Sequence, residues 1–329
     1  MRYLLLQYMK KAASFIVIIC SAILAVIAMS WFEPQNRVNT SPPLTKAALG
    51  RQLFFDSILS KDYSVSCASC HKPSFAFADT AAFSTGIFGK KTVRNTPSVL
   101  NMANRDALFW DGRSATLAAQ ALQPIQHPNE MGLPITEAVE RLRKHAKYRQ
   151  WFYQVFKQAP NSNNLALAIQ AFEETLETSG SKADKAIDDS TALNESEERG
   201  RQLFIGDKAK CFDCHFGVDY TGDEFRNIGL YNGKDLNDVG RYSITKKKSD
   251  IGKFKTPGLR NIALTAPYMH NGMFKTLEAV VAYYNNPTSF VAGSVNTDPL
   301  LQKPLNLTAQ EQADLVAFLK ALTDAELPK

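Results

Sequence analysis

Cys67-Ala68-Ser69-Cys70-His71 and Cys211-Phe212-Asp213-Cys214-His215 are two copies of one pattern, C-x-x-C-H. The spacing has a chemical reason. Two thiols about one helical turn apart can each add to one vinyl group of a haem, and the histidine that follows puts an imidazole nitrogen on the iron. A lone C-x-x-C would equally fit a thioredoxin-like pair or half a zinc site. Two copies, each followed at once by His, point instead to two covalently bound haem c groups. They use four of the five cysteines and two of the five histidines.

Outward from the motifs, a second repeat appears. Gly50-Arg51-Gln52-Leu53-Phe54 recurs as Gly200-Arg201-Gln202-Leu203-Phe204, with 12 residues between Phe54 and Cys67 and 6 between Phe204 and Cys211. A repeated helix ahead of a repeated haem motif argues for internal duplication of one cytochrome domain. The 329 residues leave room for two domains of ordinary size. The expected division is 41–190, carrying haem 1, and 191–329, carrying haem 2, with the polar stretch 180–194 as the boundary. Apolar residues at helical spacing mark 45–55, 136–156, 165–176, 276–285 and 309–322, and no sustained alternation marks a strand. Asn194-x-x-Glu197 and Thr308-x-x-Glu311 read as helix starts. The expected fold class is mostly α: two tandem c-type cytochrome domains with long loops.

At the N-terminus, Arg2, Lys10 and Lys11 precede an uncharged apolar run over 12–29. Residues 1–30 therefore read as a signal peptide or an N-terminal membrane anchor, with removal favoured. Either sends the rest across a membrane, which suits haem attachment outside the cytoplasm and gives a periplasmic location. The net charge of +6 is modest. Lys246, Lys247, Lys248, Lys253 and Lys255 form a local run, read as a solvated loop or as a docking patch for an acidic redox partner. Nothing resembles the interleaved basic and aromatic surface of a nucleic-acid binder.

Arg94-Asn95-Thr96-Pro97-Ser98, Phe109-Trp110-Asp111-Gly112-Arg113, Glu130-Met131 and Thr265-Ala266-Pro267-Tyr268-Met269-His270-Asn271-Gly272, together with both haem motifs, resemble the bacterial di-haem cytochrome c peroxidases and their relative MauG. The resemblance runs from about Gly50 to the C-terminus. It implies that Glu130 is the acid/base over the peroxide-binding haem. Splitting peroxide requires a proton taken from one oxygen and delivered to the other, and a carboxylate does both. Gln120 matches the distal-pocket glutamine, and Trp110 the tryptophan between the haems that relays an electron or a hole. Read without the family, Trp110 is a core aromatic. Asn95, with the carbonyls of Thr265 and Pro267, matches a calcium site, and hard oxygen donors suit that ion.

Two departures place the chain within the family. Many members carry a blocking histidine in the loop after the first haem motif, whereas 84–90 has none. The resemblance then implies an open haem 1 that needs no reductive activation; His127 is the nearby alternative ligand, otherwise a pocket-rim residue. His145 reads as a solvated residue on a charged helix face. The second departure is Tyr284, fourteen residues after His270, where many members place a methionine on haem 2 and MauG places a tyrosine. Leu277, Val281 and Tyr284 share a helix face, Tyr283 points elsewhere, and Met269, Met273 and His270 are rival ligands by proximity.

Three functions compete. The first is reduction of hydrogen peroxide with electrons from a small donor protein, a cytochrome c or a cupredoxin. The second is MauG-like, peroxide-dependent oxidation of a protein substrate's side chains. The third is electron transfer without catalysis, which Glu130 over an open haem argues against. The resemblance leaves a homodimer open.

Overall fold

The repeated pentapeptides fold as the same joint twice. In a computed structural model describing residues 45–328, helix α1 (Lys46–Phe55) crosses α5 (Ser162–Glu173), and α6 (Glu195–Ile205) crosses α8 (Ala309–Ala321). The glycine of each copy stands where the two backbones meet. A Cβ on Gly50 would lie 1.8 Å from the Ala168 carbonyl oxygen, and one on Gly200 would lie 1.9 Å from that of Asp314. No side chain fits either crossing. The segment read as signal peptide or anchor lies outside the described residues. Among those described, no helix is long and apolar enough to cross a membrane.

Between these crossings lie α2 (Leu117–Gln126), α3 (Ile135–Lys144), α4 (Ala146–Phe156) and, in the second half, α7 (Leu277–Asn285). The first-half core gathers Leu49, Leu53, Leu142, Phe152, Leu165 and Ile169; the second gathers Phe204, Leu277, Leu315 and Phe318. Among the described residues the strands are a two-stranded antiparallel ribbon, β1 (Phe225–Arg226) against β2 (Phe254–Lys255), beside isolated bridges such as Lys72 with Ala78. Both expected helix starts form, each as a capping box: Asn194 with Glu197 opens α6, and Thr308 with Glu311 opens α8.

Several sequence expectations are corrected. The pattern over 136–156 is two helices, not one. His145 has extended backbone, its N–H ends α3 on the Arg141 carbonyl, and its Nδ1 accepts from Tyr148 N–H at the start of α4. It is a hinge cap rather than part of a helix face. The polar stretch 180–194, expected as the boundary, is ordered where it falls: Lys182–Lys185 forms a helical turn, and Asp184 pairs with Arg260 at 2.8 Å. In the lysine run only 246–248 is exposed, because Lys253 pairs with Asp250 and the largely buried Lys255 with Asp223.

Candidate haem sites

Each C-x-x-C-H segment delivers its histidine in the same posture. His71 Nδ1 lies 3.0 Å from the Phe77 carbonyl oxygen, and His215 Nδ1 lies 2.9 Å from that of Tyr220. A ring nitrogen bonded to a carbonyl carries the hydrogen, which leaves Nε2 with its lone pair for a metal. Burial pushes both imidazoles below their ordinary pKa and keeps them neutral. The surroundings repeat too: Phe54, Phe77 and Phe172 in the first half, Phe204, Tyr220 and Phe318 in the second. Burial pushes the Cys67 and Cys211 thiols up to about 12, and no disulfide joins the four motif cysteines. Thiols so buried are poor nucleophilic thiolates, as suits cysteines kept for covalent attachment.

Behind His215 lies a cavity of about 210 Å³ lined by Cys211, Cys214, Leu277, Val281 and Tyr284. Tyr283 turns away, and its hydroxyl donates to the Ile228 carbonyl. Among the described residues nothing hydrogen-bonds the Tyr284 hydroxyl, and burial raises its pKa. A phenol so placed ionises only if a cation reaches it. Met269 and His270 share the wall, whereas Met273 does not. The His270 ring is stacked on Phe254 at 3.7 Å, and burial pushes it down to about 4. Arg226 also lines the cavity, with a buried Nε that has no partner among the described residues. An apolar chamber with two thiols, one imidazole lone pair, an unbonded phenol and an unmet guanidinium N–H fits a haem with its anionic propionates.

At the first motif burial raises the Cys70 thiol, and the charges of Asp79 and Glu130 add to it. Burial raises the Glu130 carboxyl itself, against the opposing pull of His127 and Arg113. The loop 84–90 is packed onto the turn that carries it: Ile87 N–H donates to the Glu130 carbonyl at 2.8 Å, and a Cβ on Gly86 would meet the Asn129 carbonyl oxygen at 2.1 Å. Gln120 sits half-buried on α2, while Gln123 is held by Arg113 and Ser114. Trp110 lines the 210 Å³ cavity and a second one of about 100 Å³, and its indole N–H donates to the Asn95 carbonyl at 2.8 Å.

The family model described as di-haem cytochrome c peroxidase matches residues 44–192, and one for cytochrome c matches 197–323. A methylamine utilization protein MauG from Methylorubrum extorquens is 38% identical, over 88% of this chain and 81% of its own length. The chain belongs to the di-haem cytochrome c peroxidase and MauG family. A cytochrome c551 peroxidase from Nitrosomonas europaea is 37% identical over 86% of this chain and 82% of that protein. The crystal structure of a MauG-like protein associated with microbial copper homeostasis aligns with a TM-score of 0.78 at 36% identity, covering 90% of this chain and 95% of that one.

For a di-haem protein, the sequence reading missed the charged seam beside Trp110. Arg105, Lys255 and Arg260 line the second cavity, where Arg105 pairs with Asp219 and Asp223. No local signal announces this, since the partners stand more than 100 residues apart. Asn95, Thr265 and Pro267 do share one cavity wall, and the Asn95 amide donates to the carbonyls of Ala81 and Ala82, which leaves its own oxygen free. Among the described residues no cluster of three His, Cys, Asp or Glu offers an alternative metal cage.

Proposed function

We propose that the chain reduces hydrogen peroxide to water at haem 1, with electrons entering at haem 2 from a small donor protein, a cytochrome c or a cupredoxin. The chain is an oxidoreductase acting on peroxide, of the cytochrome-c peroxidase type. The observation that carries the finer reading is Glu130 held beside the first haem motif by a loop that contains no histidine.

Bound through Cys67, Cys70 and His71, haem 1 supplies the iron and the redox chemistry. Glu130 takes a proton from one peroxide oxygen and returns it to the other as the O–O bond breaks. Burial tunes it for this by keeping the proton on the carboxyl longer than in water. Gln120 orients peroxide through its amide. Trp110 carries charge between the halves. Tyr284 and His215, which line one cavity, would hold haem 2 between them, and an anionic oxygen ligand would favour ferric iron. Calcium bound by Asn95, Thr265 and Pro267 would fix one half against the other. Export to the periplasm follows from the 1–30 segment, with anchoring as its other outcome. Glu130→Gln tests the reading: stopped-flow mixing should show the peroxide reaction slowed by about 10²-fold or more with both haems attached. An undiminished rate removes Glu130 from the mechanism.

Tyr284 favours a second reading, MauG-like oxidation of a partner protein's side chains, since a low-potential haem 2 accepts electrons poorly from an ordinary donor. Slow turnover with reduced cytochrome c and a long-lived oxidised state would support it.

A further inference from the structure

His127 serves no haem and no calcium in the account above, yet it is built into the same turn as Glu130. Its Nδ1 lies 3.3 Å from Glu130 Oε1, the two side chains being 39% and 27% exposed. The same Nδ1 is 3.3 Å from the backbone N–H of Asn129, which can only donate. These contacts constrain where a hydrogen can sit. A bare Nδ1 accepts from Asn129, and only the protonated carboxyl of Glu130 can then face it. A protonated Nδ1 donates to the Glu130 carboxylate and leaves Asn129 unmet. The backbone holds the separation: Glu130 N–H and Gly132 N–H both donate to the His127 carbonyl at 3.0 Å, and Lys90 Nζ donates to that of Pro128 at 3.2 Å.

We propose that His127 and Glu130 form a dyad sharing one proton, with His127 the positioning residue that sets the charge state of Glu130 and connects it to solvent. This rests on the acid/base reading of Glu130. In the peroxide half-reaction a proton passes from one oxygen to the other through Glu130, and none is consumed. The second water requires two electrons from the donor and two protons from solvent. His127 meets solvent on one face and Glu130 on the other. The other charged or titratable groups around the pair are Arg113, Cys70 and Lys90.

The experiment follows the carboxyl C=O infrared band of the ferric holoprotein against pH, assigned by its loss in Glu130→Gln, alongside the pH profile of the peroxide reaction. In His127→Gln the cation that draws the Glu130 pKa down is gone. Its band should persist to higher pH than in the wild type, and the rate profile should move the same way. His127→Lys keeps a cation up to about pH 10 and should reverse the displacement, which also guards against a Gln variant that folds poorly. An unmoved band and profile in His127→Gln, or a uniform loss of rate without displacement, overturns the dyad. A wild-type rate in Glu130→Gln would instead sink the acid/base reading, while the infrared comparison still judges the pairing on its own.

Discussion

Tyr284 and Tyr283 are adjacent in sequence and opposite in circumstance. One hydroxyl is satisfied by the Ile228 carbonyl; the other faces the haem 2 cavity with no partner among the described residues. Spacing along the helix was enough to separate them, because residues on one face share one environment. We expect the ferric protein to show no methionine–iron charge-transfer band, and Tyr284→Met to raise the haem 2 potential while Tyr283→Phe leaves it nearly unmoved. A methionine band in the wild type would give the ligand role to Met269, which shares the cavity wall. The two haem motifs could be read from spacing alone, since their chemistry fixes it, and the family models over the two halves agree with two c-type domains. Roles for Glu130, Gln120 and Trp110 came only through the resemblance, and the His127 contact with Glu130 depends on a tight turn that no periodicity reports.

Helices were legible where caps and apolar spacing agree, as at Thr308 and Glu311. They were misread where a single residue breaks a continuous pattern, as His145 does between α3 and α4. The meaning of the repeated glycine was hidden in the sequence, because what excludes a side chain is the backbone of another helix. Gly50→Ala should drive a methyl group into the Ala168 carbonyl and cost about 1–3 kcal/mol or more, read as a fall in the thermal midpoint with weakened retention of the first-half fold. Gly200→Ala should do the same against Asp314. Wild-type stability in either variant would mean that the helices can slide apart at no cost, contrary to the close approach described.

The two halves are joined by ion pairs that no local reading could find. Arg94, held by Asp111 of its own half at 2.6 Å, reaches Asp238 of the other at 2.7 Å, and Arg241 donates back to the carbonyls of Asp111 and Gly112. Burial alone would raise the carboxyls of Asp184, Asp223 and Asp238, but hydrogen bonds and charge from Arg260, Lys255, Arg105 and Arg94 hold all three below the usual range. A depressed folded pKa adds stability that is whole above the unfolded value of about 4 and is lost as pH falls through the depressed values. The share of stability held by these three carboxylates should therefore be lost as pH falls below about 4, and Arg94→Ala should flatten that part of the fall in denaturant midpoint. The central claim is that this molecule keeps one haem site open, with Glu130 over it and no histidine in 84–90 to close it. The most direct test is stopped-flow absorbance of the fully ferric protein mixed with one equivalent of hydrogen peroxide. The account predicts a Soret change on first mixing, with no prior reduction. A spectrum that stays unchanged until one haem has been reduced would contradict it.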